Sequence, residues 1–535
     1  MISNGIIGKQ HWKKSLILSA ILATLSLSGC GGDDGVNGTN GIDGIQGATG
    51  TDGVDGDDGT SATTDPAMIT SSGFAFPADA IFVQPHAIDG DDITDELVLA
   101  LFEVPAGSTI VMPQGNFIVS ETIAIAAADN ITLTGYGINE TTLDFTNSTG
   151  DDGIRFEGGV GLSIRDFTVL EANKNGIKVV SANGVYIAYT GTVWNGPLEE
   201  DNGAYGLYPL QSQNILIEHN YAYGSADAGV YVGQSNNIVI RDNVAKNNVA
   251  GIEIENSTMA DVYDNVAIGN TGGILAFDLP GLIQAYGGNI RIFNNEVIAN
   301  NAENVGSGAV GIVPPGTGAL IFSVSDVEIY NNNFTNNETS SIEVASYFLA
   351  NDDVNAYPTT YGATMANGWS PLTKNIYIHD NNISRSGANP RGDLITDIVA
   401  GYTLMLGQTM PAILYGGIGE SLANSGFIGG FNAIVGADAA ADGVNYNPYT
   451  TKDLVCASGN IDSNSAASAL EFADVNIGVV FTTDPTTPVL ESDTVQANTR
   501  LLNCTQPRLA PAVVTFRGKK YGCNGDDVAT LACAL

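Results

Sequence analysis

Residues 206–270 read GLYPLQSQNILIEHNYAYGSADAGVYVGQSNNIVIRDNVAKNNVAGIEIENSTMADVYDNVAIGN, and this stretch repeats itself. A glycine opens an apolar strand segment at Gly206, Gly229, Gly251 and Gly273, at spacings of 23, 22 and 22 residues. Self-similarity at such a period is typical of a solenoid, in which each coil buries its apolar face only against its neighbours. The sequence therefore predicts an all-β solenoid with coils of about 22 residues.

Each repeat also contains a second strand of alternating apolar residues, which is followed by an asparagine. These asparagines recur in one phase at Asn220, Asn243, Asn265, Asn295, Asn332 and Asn381. A side-chain amide both donates and accepts hydrogen bonds, so stacked asparagines can bond to one another along the solenoid axis. We interpret them as a structural ladder and not as ligands.

Both ends of the repeated body, residues 74–400, are predicted to be capped. Residues 91–102 suit a short helix with Asp92 as N-cap and acidic residues in its first turn, and this helix would cover the first coil. The repeat fades beyond about Ala400, so residues 401–535 are predicted to form a C-terminal cap or small module. Four cysteines in that region predict two disulfides whose pairing stays open: Cys456, Cys504, Cys523 and Cys533.

The N-terminal residues have the layout of an export signal. In residues 1–29, lysines precede an apolar run that is too short to span a bilayer. The run ends in Leu27-Ser28-Gly29-Cys30, which resembles the bacterial lipobox and implies acylation of Cys30. We expect an exported, lipid-anchored protein, sorted to the outer membrane in a Gram-negative host; fractionation of a Cys30→Ser variant tests this.

Residues 30–73 contain glycine at every third position from Gly32 to Gly59. A collagen triple helix requires this spacing, but residues 31–60 contain no proline and seven aspartates, which would repel one another in a trimer. We therefore favour a flexible acidic tether and a monomer, with a trimer through the Gly-x-y segment as the alternative.

The net charge of −39 restricts the partners. Such a surface repels nucleic acid and anionic lipid headgroups, so membrane contact is expected only through the lipid anchor. It also works against anionic polysaccharides unless divalent cations lie between the two, and no cofactor other than Ca²⁺ is suggested.

The repeats resemble the right-handed parallel β-helix proteins of the pectate-lyase-like superfamily. Together with the lipobox and the Cys-containing tail, the segments at Gly203, Gly251 and Met410 look like a family of exported bacterial β-helix lipoproteins without an assigned activity. The resemblance covers residues 75–535 and implies a right-handed parallel β-helix. Superfamily relatives include pectate and alginate lyases, mannuronan epimerases and glycosidases, but a fold alone does not transfer an activity.

The positions two and four residues after each repeat glycine are predicted to face outward, because the apolar positions between them face inward. On stacked coils these positions form a continuous stripe. Its candidate residues are Lys178, Tyr208, Tyr231, Glu253 and Glu255. Tyr205 and Asp227 come just before their strands and are expected to lean over the same face, so with Glu253 and Glu255 they are the candidate binding residues. Aromatic rings and carboxylates on one stripe can bind sugars by stacking and by bidentate hydrogen bonds, so we expect an envelope lipoprotein that binds a polysaccharide or another envelope component, such as a protein.

The alternative is a Ca²⁺-assisted polysaccharide lyase or C5-epimerase acting on a uronate polymer. That chemistry needs a base at C5, a group that neutralises the carboxylate and a proton donor. Lys178 is the candidate base or neutralising group, and Tyr208 or Tyr231 is the candidate donor. Asp227, Glu253 and Glu255 are the candidate Ca²⁺ ligands. The Asp-Pro-His signature of the epimerases is absent, and hydrolysis by a carboxylate pair such as Asp227 and Glu253 is a further reading.

Overall fold

The computed structural model describes residues 68–126, 129–351, 357–392, 395, 410–416, 455–463, 472–481, 488–497, 504–523 and 525. These residues form a parallel β-solenoid of about 10 turns, so the predicted all-β solenoid is confirmed. Coils average roughly 26 residues, longer than the predicted 22, because several of them carry inserted segments. Cys30 and the Gly-x-y segment lie outside the described residues.

The solenoid has two long sheets. Sheet 1 has twelve strands, which are parallel to their neighbours except for the last strand, which is antiparallel to the strand before it. Its strands are Ile123–Ala126, Asp152–Glu157, Asn175–Val180, Tyr205–Leu210, Ala228–Gly233, Ala250–Glu255, Gly272–Phe277, Thr317–Phe322, Ser340–Ala345, Ile413–Tyr415, Phe472–Phe481 and Pro488–Ala497.

Sheet 2 has twenty-one strands and forms the other face of every coil. Its strands are Ile81–Phe82, Thr109–Val111, Gly115–Ile118, Thr132–Thr134, Thr141–Asp144, Val160–Leu170, Asn183–Val193, Gln213–Glu218, Tyr221–Tyr223, Asn236–Arg241, Val244–Lys246, Thr258–Tyr263, Val266–Ile268, Gly288–Phe293, Glu296–Ile298, Val327–Tyr330, Asn333–Thr335, Ile376–His379, Asn382–Ser384, Val455–Ser458 and Ile461–Asp462.

The repeat glycines are required where sheet 1 begins in each coil. A Cβ on Gly206 would lie 2.4 Å from the carbonyl oxygen of Gly229, and a Cβ on Gly251 would lie 2.5 Å from that of Gly273. Only glycine lets neighbouring coils stack this closely, which explains the spacing that the sequence shows.

The predicted asparagine ladder is present in the turn that divides sheet 2. Asn220, Asn243 and Asn265 each donate from Nδ2 to the Oδ1 of the next asparagine, and the chain of bonds continues to Asn381 and Asn460. A second ladder, which the sequence reading missed, follows the short strands of sheet 2. It consists of Asn248, Asn270, Asn300 and Asn337.

The N-terminal cap helix is Thr94–Leu101, and Leu97 and Leu101 are buried in the same cluster as the coil interiors. The predicted N-cap is shifted by one residue, because Ile93 occupies that position. Asp92 still accepts a 2.9 Å hydrogen bond from the amide of Thr94. Among the described residues, no helix is long and apolar enough to cross a membrane.

The solenoid continues beyond residue 400, where the repeat is no longer visible in the sequence. Ile413–Tyr415 pairs with Ser340–Ala345 in sheet 1, and Val455–Ser458 pairs with Ile376–His379 in sheet 2. The structure contains a Cys456–Cys504 disulfide, and Cys523 is also disulfide-bonded, while Cys533 lies outside the described residues.

The chain after Cys504 returns along the outside of sheet 2. Ala512 and Val514 are buried in one cluster with the outward residues Val239, Tyr263 and Phe293. The tail then forms an antiparallel hairpin of the strands Val514–Phe516 and Lys519–Tyr521. The C-terminal tail therefore covers the part of the outer face of sheet 2 that carries Val239, Tyr263 and Phe293, and sheet 1 carries the predicted site residues.

Three further helical segments whose bounds the structure describes lie outside the two sheets. They are the 3₁₀ turns Val310–Ile312 and Tyr347–Leu349 and the α-helix Tyr357–Ala366. All three belong to segments inserted between coils, and two of these insertions decide how much of sheet 1 is open to solvent.

Candidate functional site

The predicted stripe exists as one row of residues across sheet 1, which we call the outer row. Strand pairing places its members on successive coils in the order Arg155, Lys178, Tyr208, Tyr231, Glu253, Leu275, Leu320 and Glu343. The parallel register follows directly from the glycine spacing, since each strand begins at an equivalent point in its coil.

The expectation that the whole row faces solvent is wrong. Within the outer row, Tyr231 is buried and Glu253 exposes only 1% of its surface, and Glu255 on the same strand as Glu253 is also buried. Segment 301–316 accounts for this, because Val310 and Val313 from this segment belong to the same buried cluster as Tyr231. A substrate therefore cannot reach Glu253 in this conformation.

A second insertion covers the C-terminal part of the row. Tyr347 contacts Phe322 at a ring distance of 5.7 Å, and Trp369 contacts Tyr347 at 5.2 Å. The indole Nε1 of Trp369 also donates a 3.0 Å hydrogen bond to the carbonyl of Asp278. The row is therefore open only at its N-terminal end.

That open end carries two cations and a group of tyrosines. The side chain of Lys178 is 21% exposed and its Nζ lies 3.9 Å from Asp152 and 5.2 Å from the ring centre of Tyr208. The rings of Tyr205 and Tyr208 are stacked 4.4 Å apart, and Tyr231 closes the group 5.0 Å from Tyr208. The predicted binding and catalytic residues thus do meet in space.

Three carboxyl groups lie directly behind the tyrosines. The hydroxyl of Tyr231 donates a 2.7 Å hydrogen bond to Glu255 Oε1. Asp227 Oδ1 and Glu253 Oε2 are shielded from solvent and have no hydrogen-bond partner within the described part of the chain. Unpaired polar atoms in such a position are costly, and they are common at functional sites.

Burial changes the protonation of this group. It raises the pKa of Asp227 to about 7 in spite of the opposing hydrogen bond from Tyr205, and the charge of Glu255 adds a smaller contribution in the same direction as burial. Burial also raises the pKa of Glu253, and the neighbouring Asp227 and Glu255 add to the effect. Burial raises the pKa of Glu255 as well, although the hydrogen bond from Tyr231 acts in the opposite direction. Burial therefore favours the neutral forms of all three carboxyl groups, compared with exposed carboxylates.

The phenols are shifted in the same direction. Burial is the main cause that raises the pKa of Tyr208 to about 12, and it also raises the pKa of Tyr205 and of Tyr231. These tyrosines remain protonated at neutral pH, so they can donate a proton but cannot act as bases. The proton of Tyr231 already serves Glu255.

Because of Asp227, the free energy of unfolding is expected to fall as pH rises from the ordinary pKa of 3.8 to the folded-state pKa of about 7. Asp227 has a higher pKa in the folded state than the ordinary value of 3.8, so its contribution is complete at low pH and is lost as pH rises towards 7. One such group contributes a slope of about 1.4 kcal/mol per pH unit. Urea unfolding at pH 5, 6 and 7 should show a smaller slope in Asp227→Asn than in the wild type.

The matched control for this prediction is Asp201→Asn, because the side chain of Asp201 is exposed in the loop that precedes the strand Tyr205–Leu210. Its slope should equal that of the wild type. An unchanged slope in Asp227→Asn would show that Asp227 does not take up its proton in this range.

The predicted calcium ligands are Asp227, Glu253 and Glu255. Within the described ranges, no group of three or more His, Cys, Asp and Glu residues is arranged to hold a metal ion. Burial of Asp227, Glu253 and Glu255 disfavours the charged form that Ca²⁺ requires, and calcium binding by these residues stays a prediction.

The sequence reading missed two further buried carboxyls on this side of the solenoid. Glu343 continues the outer row and accepts a 3.1 Å hydrogen bond from Thr317, while burial raises its pKa to about 8. Asp278 accepts bonds from the amide of Gly287 at 2.8 and 2.9 Å and holds the 278–288 loop. Extending the outward column past Leu275 would have found Glu343, whereas Asp278 has no periodic signal.

Comparison with known proteins supports the architecture. A family model described as "Right handed beta helix region" matches residues 131–281. No curated protein matches the chain. The resemblance to right-handed β-helix proteins is therefore confirmed for those residues, whereas membership of a lipoprotein family stays a prediction.

Several solved structures are similar at low levels. The A-module of a mannuronan C-5 epimerase from Azotobacter vinelandii has a TM-score of 0.39 and 16% identity, covering 62% of this chain and 90% of its own. A polygalacturonase from Erwinia carotovora has a TM-score of 0.39 and 11% identity, with coverages of 61% and 95%. An alginate lyase in complex with G6 has a TM-score of 0.35 and 11% identity, with coverages of 63% and 63%. These values are too low to transfer a substrate or an activity.

Proposed function

We propose that the protein binds an acidic polysaccharide at the open end of the outer row. The observation that carries this proposal is the register of Arg155, Lys178 and Tyr208, which lie in one row on three successive coils of sheet 1. Successive coils are about 4.8 Å apart, so the row presents two cations and an aromatic ring to a ligand that lies along the sheet. Sugar rings stack on aromatic faces, and carboxylates pair with guanidinium and ammonium groups.

The electrostatics of the site favour a carboxylate ligand in spite of the net charge of −39. Burial raises the pKa of Asp227, Glu253 and Glu255, so these groups repel an anion less than ionised carboxylates would. Arg155 and Lys178 each lie 3.9 Å from Asp152, which holds them together at the row, and Arg155 also pairs with Glu157. With the expected export signal, this proposal describes a polysaccharide-binding protein of the cell envelope.

The test is calorimetric titration of the full-length protein with hexamers of galacturonate, mannuronate and guluronate. We expect at least one to bind, and Tyr208→Ala to weaken binding about tenfold through the lost stacking contact. Lys178→Ala should weaken binding and also reduce its dependence on salt, because it removes a charge from the contact.

The control is Tyr221→Ala, since Tyr221 is a partly exposed tyrosine on a strand of sheet 2. It should bind like the wild type. The proposal fails if none of the uronates binds, or if Tyr221→Ala and Tyr208→Ala have the same effect.

The second candidate is turnover of the same polymer by a lyase, an epimerase or a hydrolase. It is favoured by the unpaired Glu253 Oε2 and Asp227 Oδ1, because neutral buried carboxyls can act as general acids. Segment 301–316 would first have to uncover Glu253. To decide between binding and turnover, each uronate is incubated with the protein, with and without EDTA. The absorbance of unsaturated uronates detects a lyase, proton exchange at C5 detects an epimerase, and new reducing ends detect a hydrolase. Turnover that Tyr208→Phe or Lys178→Ala abolishes would replace binding as the function.

A further inference from the structure

A second groove lies at the corner where sheet 1 turns into sheet 2, away from the outer row. Its volume is about 700 Å³, and its lining comes from four successive coils and from the 278–288 loop. The described lining consists of serine, asparagine and glutamine side chains together with small or aliphatic residues. None of these described residues carries a charge, which sets the groove apart in a chain with 58 acidic residues.

The groove is built from two rows of polar side chains that flank a row of serines. The first row, Ser181, Gln211 and Gln234, occupies the turn at positive φ angles of 57°, 50° and 51°. The second row, Asn183, Gln213 and Asn236, begins sheet 2 in register on three coils.

The serines between these rows are committed to the fold. Ser212 Oγ accepts a 3.0 Å hydrogen bond from the amide of Ala182, and Ser235 Oγ accepts one from the amide of Ser212. Both serines are buried. The hydroxyls are thus the floor of the groove, and the amides on either side are what a ligand meets.

Gln211 and Gln213 have their full hydrogen-bonding capacity available. Neither side-chain amide bonds to another residue within the described part of the chain, whereas Gln234 accepts a 2.9 Å bond from the amide of Ile283 and anchors the loop. Asn256 holds the same loop through bonds of 3.0 Å from its Nδ2 to the carbonyls of Leu279 and Gln284. The loop thus closes one end of the groove in a fixed position.

Two exposed aliphatic side chains complete the lining. Ile283 is 85% exposed at the loop end and Val160 is 50% exposed at the other end. A pyranose ring has apolar C–H faces and an edge of hydroxyls that both donate and accept, and an amide also both donates and accepts.

We propose that this groove is a binding site for an uncharged oligosaccharide. The paired amides of Gln211 and Gln213 meet sugar hydroxyls, and Val160 and Ile283 contact the ring faces. An anionic ligand is disfavoured because the lining offers no cation to pair with it. The inference concerns a different surface from the outer row and does not rest on the function proposed for that row.

The test is calorimetric titration of the full-length protein with four neutral hexasaccharides: maltohexaose, cellohexaose, laminarihexaose and chitohexaose. We expect at least one to bind, and the double variant Gln211→Ala with Gln213→Ala to bind it about tenfold more weakly, since each lost hydrogen bond costs a few-fold in affinity. Gln213→Glu, a change of similar size at an exposed position, should also weaken binding.

Two controls separate this site from the outer row and from general effects. Asn382→Ala removes an exposed amide elsewhere on sheet 2 and should leave binding unchanged, as should Tyr208→Ala. The proposal is overturned if none of the four sugars binds, if the two glutamine variants bind like the wild type, or if Tyr208→Ala abolishes the binding. Binding of an uncharged Gly-Ser-Asn peptide in place of any sugar would also overturn it.

Discussion

Asn243→Ala is expected to lower the free energy of unfolding by about 4 kcal/mol, because it leaves several buried polar groups without partners. Asn243 Nδ2 donates to Asn265 Oδ1 at 2.9 Å and to the carbonyls of Ile217 and Arg241 at 3.0 and 2.8 Å. Its Oδ1 accepts from the backbone amide and the Nδ2 of Asn220 at 3.0 and 2.9 Å. Each of these groups is orphaned or loses a partner in the variant.

The measurement should resolve individual coils, since a solenoid can open locally. Urea unfolding gives the total change, and hydrogen exchange in Gln213–Glu218 and Asn236–Arg241 shows whether the loss centres on the affected coils. The matched control is Asn382→Ala, whose exposed side chain makes a 3.4 Å contact with Asn333 and takes no part in either ladder. We expect it to change stability by less than about 0.5 kcal/mol. Equal effects of the two variants would contradict the structural role of the ladder.

Arg291→Met is expected to destabilise the protein by a similar amount, about 4 kcal/mol, because it leaves a buried carboxylate without its cation. Arg291 donates from Nε and Nη2 to the two oxygens of Asp261 at 2.7 and 2.5 Å, and both side chains are almost fully buried. The two residues face each other on neighbouring coils of sheet 2, beneath the C-terminal tail.

A second substitution distinguishes a lost ion pair from lost packing. Arg291→Met combined with Asp261→Leu removes both charges and should recover most of the stability, because an apolar pair of similar volume can replace a buried ion pair. Urea unfolding measures both variants. Arg155→Met is the control, since the Arg155 side chain is 42% exposed, and it should cost less than about 1 kcal/mol. A double variant as unstable as Arg291→Met alone would show that the charge is not the cause.

The sequence predicted the candidate site in part. It identified the outward residues and their order along sheet 1, because the glycine spacing determines the register of Lys178, Tyr208 and Glu253. It could not show that Tyr231 and Glu253 are buried. Segment 301–316 covers them, and its valines have no periodic relation to the repeat that would reveal where they pack.

The groove lined by Gln211 and Gln213 could also be predicted only in part from the sequence. The x-Ser-x pattern of its turns is present in the sequence, at Gln211-Ser212-Gln213 and Gln234-Ser235-Asn236. The closure of the groove depends on the 278–288 loop, which reaches back across about fifty residues to bond with Gln234. A long-range contact of this kind leaves no local signal.

By itself the sequence determined the all-β solenoid, the inward apolar rows, the first asparagine ladder and the helix that caps the first coil. All of these follow from local periodicity, because each coil repeats the same contacts with its neighbours. Only the tertiary structure decided which part of sheet 1 is open, how the C-terminal tail covers sheet 2 and that coils continue beyond residue 400. These features depend on inserted segments and on the chain end, whose contacts join residues far apart in sequence and follow no repeat.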